Sequence, residues 1–278
     1  MSAELPLSQS GQTADSIARQ CAQEAAAVIM AGFRRQLAVD VKGRGNFLTE
    51  TDLAVERLVI QILRQEYPDI AILSEETAGG WTQAQREAAL SSSGWLWVVD
   101  PLDGTHNYSQ GVPHFCFNLA LCYGGQPRLA LTYDPLRKQE FFALENGGAT
   151  LDGMPVRVAQ TVDVPSAIIG IDLGYDDARA ANLLRLVLDI WPRVQAIRVM
   201  GSGALGLAYA ASGLFDLFVH HYLFPWDIAP GILLVRESGG LVLDRDGGPV
   251  TLSSEGIVAG APKVVEDFLR LAEGRAWR

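Results

Sequence analysis

The chain of 278 residues is poor in cysteine, and it lacks a long apolar run, a basic stretch and an internal repeat. Its cysteines (Cys21, Cys116 and Cys122) are odd in number and form no CxxC pair, which indicates reduced thiols. No apolar run reaches about 18 residues, so we expect no membrane-spanning helix. The N-terminal residues show no basic segment followed by an apolar one, so we expect no signal peptide. A cytoplasmic protein without a membrane partner is therefore predicted.

Positive charge is also scarce, because the chain has 22 Lys and Arg residues against 32 Asp and Glu, a net charge of −10. A nucleic-acid partner requires a basic stripe, and since we find none we expect no such partner. An acidic protein that binds an anionic substrate needs a local source of positive charge. Metal ions and helix N-termini are the usual sources.

The first half of the chain combines helices with an antiparallel sheet. Apolar residues recur at helical spacing over 13–38 and from about residue 51 to 66, on either side of a Gly-rich basic loop at 41–47. Three strand-like segments follow, separated by Gly-Gly, Asp-Pro and Asn-Gly-Gly turn signals, which predict an antiparallel meander. These segments are 115–123, 128–133 and 139–145.

The pattern changes near residue 165, where short apolar strands begin to alternate with helices. We therefore predict an α+β half over 1–150, which carries the metal-binding motifs, and an α/β half over 151–278, which carries substrate-side residues. The chain is 49% apolar and has no low-complexity linker, so the two halves are expected to pack closely, with the active site between them.

Acidic residues stand at the ends of predicted elements: Asp52 near a helix start, Glu75-Glu76 and Asp100/Asp103 after strands, and Asp227 at a helix start. Each has an ordinary alternative reading, as a helix cap, a first-turn acid, a solvated strand end or a polar turn. Together they predict a cation site, because buried carboxylates that converge do not all stay ionised without a cation. Oxygen ligands favour Mg²⁺, and no Cys/His set at zinc spacing competes.

The segment WVVDPLDGTHNY (97–108) combines two devices. Its proline fixes a turn, which lets Asp100 and Asp103 face one ion and frees the Leu102 carbonyl as a third ligand. Gly104 and Thr105 then offer backbone N–H groups at a predicted helix start, where phosphate is a good candidate ligand. A cation site beside a phosphate site is the arrangement that a two-metal phosphoesterase needs.

Four segments resemble motifs of the inositol monophosphatase family, in the family's order and across almost the whole chain. WVVDPLDGTHNY and WDIAPGILLVRESGG (226–240) resemble its two signatures, FLTETD (47–52) its (V/L)TxxD segment, and LSEET (73–77) its acidic pair. The resemblance implies an αβαβα layered sandwich, commonly a homodimer, with Mg²⁺-dependent phosphomonoesterase activity. The acidic pair is usually preceded by Gly in the family, and here Ser74 takes that place.

The resemblance also implies residue roles. Two or three Mg²⁺ ions would be held by Glu75, Asp100, the Leu102 carbonyl, Asp103 and Asp227. Thr105, polarised by Asp52, would position the attacking water together with Glu75. The substrate side would include Asp103, Gly104, Thr105, Ser202 and His220. Metal-activated water would then attack phosphorus in line, and hydrolysis of this kind needs no nucleotide cofactor.

The alcohol part of the substrate is less defined. Inositol enzymes carry a Glu seven residues before the second-motif Asp, where this chain has His220. His220 could hydrogen-bond a hydroxyl or bind a second anionic group. Ser202 reads either as a hydroxyl contact or as a helix N-cap. The leading prediction is a phosphatase for small inositol or sugar phosphates, and fructose-1,6-bisphosphate, 3′-phosphoadenosine 5′-phosphate and histidinol phosphate are alternative substrates. A catalytically silent metal- or phosphate-binding module is the non-enzyme alternative, and it predicts the loss of a ligand that this chain retains.

Overall fold

The computed structural model describes most of the chain. The described residues are 4–35, 39–43, 46–78, 81–91 and 93–277, and for 39–43, 46–47 and 83 the backbone alone is described. None of the helices in this part of the chain has the length and apolar character that a bilayer crossing requires.

The helices and strands alternate in blocks along the chain. In chain order the helices are α1 (Ala14–Gly32), α2 (Glu50–Glu66), α3 (Glu75–Ala78), α4 (Gln83–Leu90), α5 (Thr105–Ser109), α6 (Asp177–Ile190), α7 (Gly203–Ala211), α8 (Pro225–Glu237) and α9 (Pro262–Leu271). The strands are β1 (Val39–Gly43), β2 (Asn46–Thr49), β3 (Ala71–Ser74), β4 (Trp95–Asp103), β5 (Cys116–Tyr123), β6 (Gln126–Asp134), β7 (Gln139–Leu144), β8 (Gly148–Leu151), β9 (Met154–Pro155), β10 (Ile168–Asp172), β11 (Ala196–Val199), β12 (Leu217–His220), β13 (Leu241–Asp244) and β14 (Ile257–Gly260).

Two large sheets organise the described residues. The first has the order β3-β4-β5-β6-β7-β8-β9, in which β3 and β4 are parallel and the later neighbours are antiparallel. This sheet contains the predicted meander. The second has the order β11-β10-β12-β14-β13, with β10 parallel to both of its neighbours. The predicted alternation of strands and helices after residue 165 is thereby confirmed.

The sheets and helices form five layers with three buried cores. Helices α1 and α2 cover one face of the first sheet, α7 and α8 lie between the two sheets, and α6 and α9 cover the outer face of the second. The side chains of successive strand residues point to opposite faces of the sheet, so Val98 faces α7 and α8 whereas Val99 faces α1 and α2. Cys116 and Cys122 share the central layer, as their equal parity predicts. The predicted αβαβα sandwich is confirmed.

The central helix α7 explains why its sequence is rich in small residues. All nine of its residues are buried, because sheets and α8 surround it. A Cβ atom on Gly206 would lie 2.1 Å from Cε2 of Phe218 in the second sheet. A glycine is therefore needed for the close approach of helix to sheet, which fixes the height of the α7 N-terminus above that sheet.

Some predicted boundaries were wrong. The segment predicted as a loop at 41–47 contributes to an antiparallel hairpin of β1 and β2, although residues 44 and 45 lie outside the described residues. The helix predicted for 13–38 ends at Gly32, where a Cβ would lie 2.4 Å from the Tyr108 hydroxyl oxygen. The predicted boundary between the halves at residue 150 stays a prediction, and the first sheet runs to Pro155.

Candidate active site

A bulge at the end of β4 turns two carboxylates to the same side. Asp100 pairs with Asn118 of β5, and Asp103 pairs with Cys116. Between these two pairs β4 has two residues where β5 has one, so the extra residue makes β4 bulge. The Leu102 N–H donates to Oδ1 of Asp100 at 3.0 Å, which stabilises the turn. The proline turn predicted for this segment therefore takes the form of a strand bulge that brings the two carboxylates close together, while their role as ligands of one ion stays a prediction.

Asp227 joins these two carboxylates from a different element. One oxygen of each of Asp100, Asp103 and Asp227 lies within 4.8 Å of the others, and we call these residues the carboxylate trio. Asp227 stands in the first turn of α8, where its Oδ2 accepts the Phe224 N–H at 2.7 Å. This capping contact agrees with the ordinary reading of Asp227 as a helix-start residue, and the same side chain also faces the trio.

Burial and mutual repulsion disfavour the ionised form of the trio carboxylates. Burial, and then the charges of Glu75, Asp103 and Asp227, raise the pKa of Asp100 well above its ordinary value. Burial also raises the pKa of Asp103, and burial followed by the charge of Asp103 raises the pKa of Asp227 to about 8. A divalent cation resolves such a conflict, and a set of carboxylate oxygens suits a hard ion such as Mg²⁺. The residues present therefore fit the predicted metal.

Glu75 lies beside the trio without belonging to it. It is the first residue of α3, directly after β3, and it is partly buried. Its charge is the largest electrostatic contribution, after burial, to the raised pKa of Asp100. The parallel pairing of β3 with β4 brings these two strand ends to the same edge of the sheet.

Asp103 is held in place by the start of α7. The Ser202 hydroxyl and the Ala204 N–H both donate to Oδ2 of Asp103, the latter at 2.9 Å. The Ser202 hydroxyl oxygen also accepts the Leu205 N–H at 3.3 Å, so Ser202 is the N-cap of α7. Ser202 thus combines the predicted helix-cap role with a position beside a trio carboxylate.

Thr105 and Asp52 form the predicted hydrogen-bonded pair. The Thr105 hydroxyl lies 3.0 Å from Oδ1 of Asp52 and 2.9 Å from the Leu102 carbonyl oxygen, and its single proton serves one acceptor at a time. The other oxygen of Asp52 accepts the Thr49 N–H at 2.9 Å and the Thr49 hydroxyl. Burial raises the pKa of Asp52, and the hydrogen bonds from Thr49 and Thr105 oppose that rise.

Gly104 provides the turn from β4 into α5. Its φ is +86°, and a Cβ there would lie 3.0 Å from the His114 carbonyl oxygen. Both the left-handed backbone and the crowding require glycine. The turn makes Thr105 the first residue of α5, as predicted, whereas the phosphate contact of the Gly104 and Thr105 amides stays a prediction.

One cleft contains two members of the trio, Asp103 and Asp227, together with the predicted substrate-side residues. Its lining includes Asp103, Gly104, Thr105, Asp172, Gly174, Tyr175, Ser202, His220, Tyr222 and Asp227. The predicted site residues from β4, α7, β12 and α8 therefore meet in one place.

His220 is a neutral imidazole with a defined proton position. Its ring is 4% exposed, and burial lowers its pKa to about 3. The Tyr222 N–H donates to Nδ1 at 3.1 Å, so Nδ1 is an acceptor and the proton is on Nε2. The edge that carries Nε2 lies between Gly174 and Gly203, whose added Cβ atoms would lie 2.9 Å from Cε1 and 3.9 Å from Cδ2. Both glycines line the cleft.

Two site residues were missed by the sequence analysis. Asp172, the last residue of β10, accepts the N–H groups of Met200 and Gly201 at 3.0 and 2.7 Å, and burial raises its pKa to about 6. Asn107 donates to the carbonyl of Met200 at 2.7 Å. Asp172 follows an apolar strand as Asp100 does, so the same sequence signal predicts its position.

Comparison with known proteins gives consistent relatives over nearly the whole chain. A profile of the inositol monophosphatase family matches residues 11–274. The chain is 37% identical over 258 residues to the Nus factor SuhB of Pseudomonas aeruginosa, covering 91% of this chain and 93% of that protein. It is 31% identical over 256 residues to inositol monophosphatase 1 of Solanum lycopersicum, covering 91% and 92%. The crystal structure of extragenic suppressor protein suhB from Bartonella henselae matches with a TM-score of 0.85 and 28% identity, covering 94% and 98%.

The fold and the trio define a layered α/β protein with a carboxylate site suited to a divalent metal. The chain belongs to the inositol monophosphatase family, a family of metal-dependent phosphatases.

The raised pKa of Asp227 predicts that Mg²⁺ binding releases protons. In the metal-free fold this carboxyl titrates at about 8 instead of 3.8, so its contribution to stability is complete below about pH 4 and lost as pH rises through 8. Mg²⁺ displaces the proton, so affinity should rise with pH up to about 8. Calorimetric titration at pH 7 in buffers of different ionisation enthalpy should show release of at least about one proton per protein, since the pKa of Asp100 is raised as well. Binding without proton release would contradict this assignment.

Proposed function

We propose that the protein is a Mg²⁺-dependent phosphomonoester hydrolase that acts on inositol or sugar phosphates. The observation that carries the proposal is a single cleft lined by Asp103, Asp227 and Thr105, in which Asp100 completes the trio and Asp52 accepts a hydrogen bond from Thr105. Family membership supports a phosphatase, and two relatives matched here carry the names inositol monophosphatase and SuhB. The Nus factor name belongs to the SuhB relatives, and our prediction that this chain has no nucleic-acid partner stays a prediction.

The proposed metal ligands are the trio, Glu75 and the Leu102 carbonyl, which together would hold two or three Mg²⁺ ions. Bound ions would lower the pKa of water and offset the charge on the phosphoryl oxygens. The Gly104 and Thr105 amides at the start of α5 would hold the phosphate, although so short a helix contributes little dipole.

The chain's own residues would orient the reaction. Asp52 accepts a hydrogen bond from the Thr105 hydroxyl, which leaves the Thr105 oxygen lone pairs free to accept a hydrogen bond from water. Glu75 would hold the same water from the β3 side. Because charge in phosphoryl transfer is spread over several oxygens, such positioning and electrostatic stabilisation account for most of the rate enhancement.

Phosphate release with Mg²⁺ tests this function directly. The screen covers inositol phosphates, fructose-1,6-bisphosphate, 3′-phosphoadenosine 5′-phosphate and histidinol phosphate. Asp100→Asn should lower kcat/KM by more than about 100-fold, since even the partners of metal ligands contribute about 10- to 100-fold. Asp69→Asn, at an exposed carboxylate between α2 and β3, is the matched control and should leave activity unchanged. An inactive wild-type protein that binds Mg²⁺, or normal turnover by Asp100→Asn, would contradict the proposal.

We also propose that His220 contacts the alcohol part of the substrate as a hydrogen-bond donor. Its Nδ1 is committed to the Tyr222 N–H, which leaves Nε2–H as the group that the cleft can use. A glutamate at this position accepts hydrogen bonds from hydroxyls, whereas His220 requires an acceptor oxygen. The preferred alcohol would therefore present a hydroxyl, ether or carbonyl oxygen to His220.

Methyl ethers test the polarity of this contact, because methylation removes a hydroxyl proton and keeps the oxygen. With single O-methyl ethers of the alcohol selected by the screen, wild type should tolerate at least one ether. His220→Glu should disfavour that same ether, relative to its parent, by about 10-fold, the equivalent of one hydrogen bond. The ratio of kcat/KM values for ether and parent is the measurement. Equal ratios for the two proteins would contradict a donor role for His220.

We further propose a homodimer that buries an apolar row on α6 and the turn directly after it. Leu184, Leu188 and Trp191 follow helical spacing and are 40%, 70% and 54% exposed. Leu188→Glu should shift the protein towards monomer in sedimentation velocity, because an ionised side chain in an apolar interface is costly. Leu214→Glu changes a leucine outside α6 that is 53% exposed, and it is the control. A wild-type monomer at micromolar concentration would contradict the dimer.

A further inference from the structure

Glu56 of α2 is a buried carboxyl group that the proposed chemistry does not use. The residue is only 7% exposed. Its carboxyl group accepts four hydrogen bonds from the segment that carries Glu75. Oε2 accepts from the Ser74 hydroxyl, from the Glu76 N–H at 2.9 Å and from the Thr77 N–H at 3.2 Å, and Oε1 accepts from the Thr77 hydroxyl at 2.8 Å.

These contacts lie on both sides of Glu75. Ser74 precedes it as the last residue of β3, and residues 76 and 77 follow it in α3. The backbone of Glu75 is thus held from α2 at both ends, which restricts the directions that its side chain can take. Without this anchor, the four-residue helix α3 has too few internal hydrogen bonds to hold one geometry.

The same helix also holds the other group proposed to orient water. Asp52 lies four residues before Glu56, so both carboxyl groups project from one face of α2. Asp52 binds Thr105, and Glu56 binds the segment of Glu75. One helix therefore holds both Thr105 and the segment that carries Glu75, and so helps to set the separation between them.

The Ser74 side chain adds a contact of its own to this arrangement. A glycine in its place, the residue usual before the acidic pair, has no hydroxyl and cannot donate to Glu56. The Ser74 side chain is 1% exposed, so its hydroxyl has no water to use in place of that acceptor. The serine therefore adds one buried hydrogen bond directly before Glu75.

We propose that Glu56, assisted by the Ser74 hydroxyl, is a positioning residue that sets the place of Glu75 in the metal site. This inference rests on the proposed function only through the ligand role of Glu75. Loss of the anchor should weaken metal binding and lower kcat, and should leave substrate KM unchanged at saturating Mg²⁺, since neither residue lines the cleft.

Two variants and a matched control test the proposal. Glu56→Gln and Ser74→Gly should weaken Mg²⁺ affinity in calorimetric titration, by about 10-fold and by a smaller factor respectively, as partners of metal ligands typically do. Glu66→Gln is the control, because Glu66 on the same helix also accepts hydrogen bonds, from Ser10, at the opposite end from the site. Its Mg²⁺ affinity should equal that of wild type.

Stability and activity separate the possible outcomes. A lower melting temperature of the metal-free variants with unchanged Mg²⁺ affinity would show a structural role alone and would overturn the proposal. Weaker Mg²⁺ binding with a small change in melting temperature is the expected result. If wild type releases no phosphate from any substrate, the proposed function fails, while the binding titration still decides whether Glu56 positions a metal ligand.

Discussion

The mutual repulsion of three buried carboxylates is the constraint on which this site depends. Asp100, Asp103 and Asp227 each contribute an oxygen to a group less than 5 Å across. Burial raises all three pKa values, and neighbouring carboxylate charge adds to the rise for Asp100 and Asp227. Unit charges about 4 Å apart repel by several kcal/mol at the effective dielectric constant of a protein. Such a group is costly to keep without a cation, and this cost would favour the binding of a divalent cation.

The surrounding fold holds the carboxylates together against this repulsion. Asp103 is fixed by α7, and Asp227 is fixed by its cap on α8. Asn118 of β5 donates to the Trp226 carbonyl at 2.8 Å and accepts the Thr132 hydroxyl at 2.6 Å, which ties the first turn of α8 to the first sheet. The two Asn118 hydrogen bonds are buried and those of Asp103 and Asp227 are partly buried, so leaving any of these groups unpaired would be expensive. The site is therefore preorganised by the packing of the central layer.

Much of the site was predictable from the sequence, because its residues stand at element ends marked by turns. Proline and glycine at 101 and 104 indicate the bend, and an apolar run before Asp100 indicates a strand that delivers it. Asp172 also stands at the end of an apolar run, but no proline marks the turn after it, and the sequence analysis missed it. Glu56 could not be found in this way, since it lies mid-helix and its role depends on where Ser74 comes to lie after folding.

The remaining features depend on contacts that no local pattern encodes. The proton position on His220 follows from the Tyr222 N–H, and this contact needs the chain to turn directly after β12. The hairpin of β1 and β2 depends on pairing across a Gly-rich segment, which reads as a loop when taken alone. The burial of the carboxylates and the rise in their pKa values likewise arise from layers that are distant in sequence. The spacing of the carboxylates along the chain therefore does not reveal how strongly they repel one another.

The most direct test of this account is a crystal structure of the protein with Mn²⁺ as a stand-in for Mg²⁺, recorded near the manganese absorption edge. The account predicts anomalous peaks within coordination distance of the carboxylates of Asp100, Asp103 and Asp227, with Glu75 at the edge of the same site. The absence of an anomalous peak between these carboxylates at saturating Mn²⁺ would contradict it. The three side chains would then be stable without a metal ion, either as carboxylates or in protonated form.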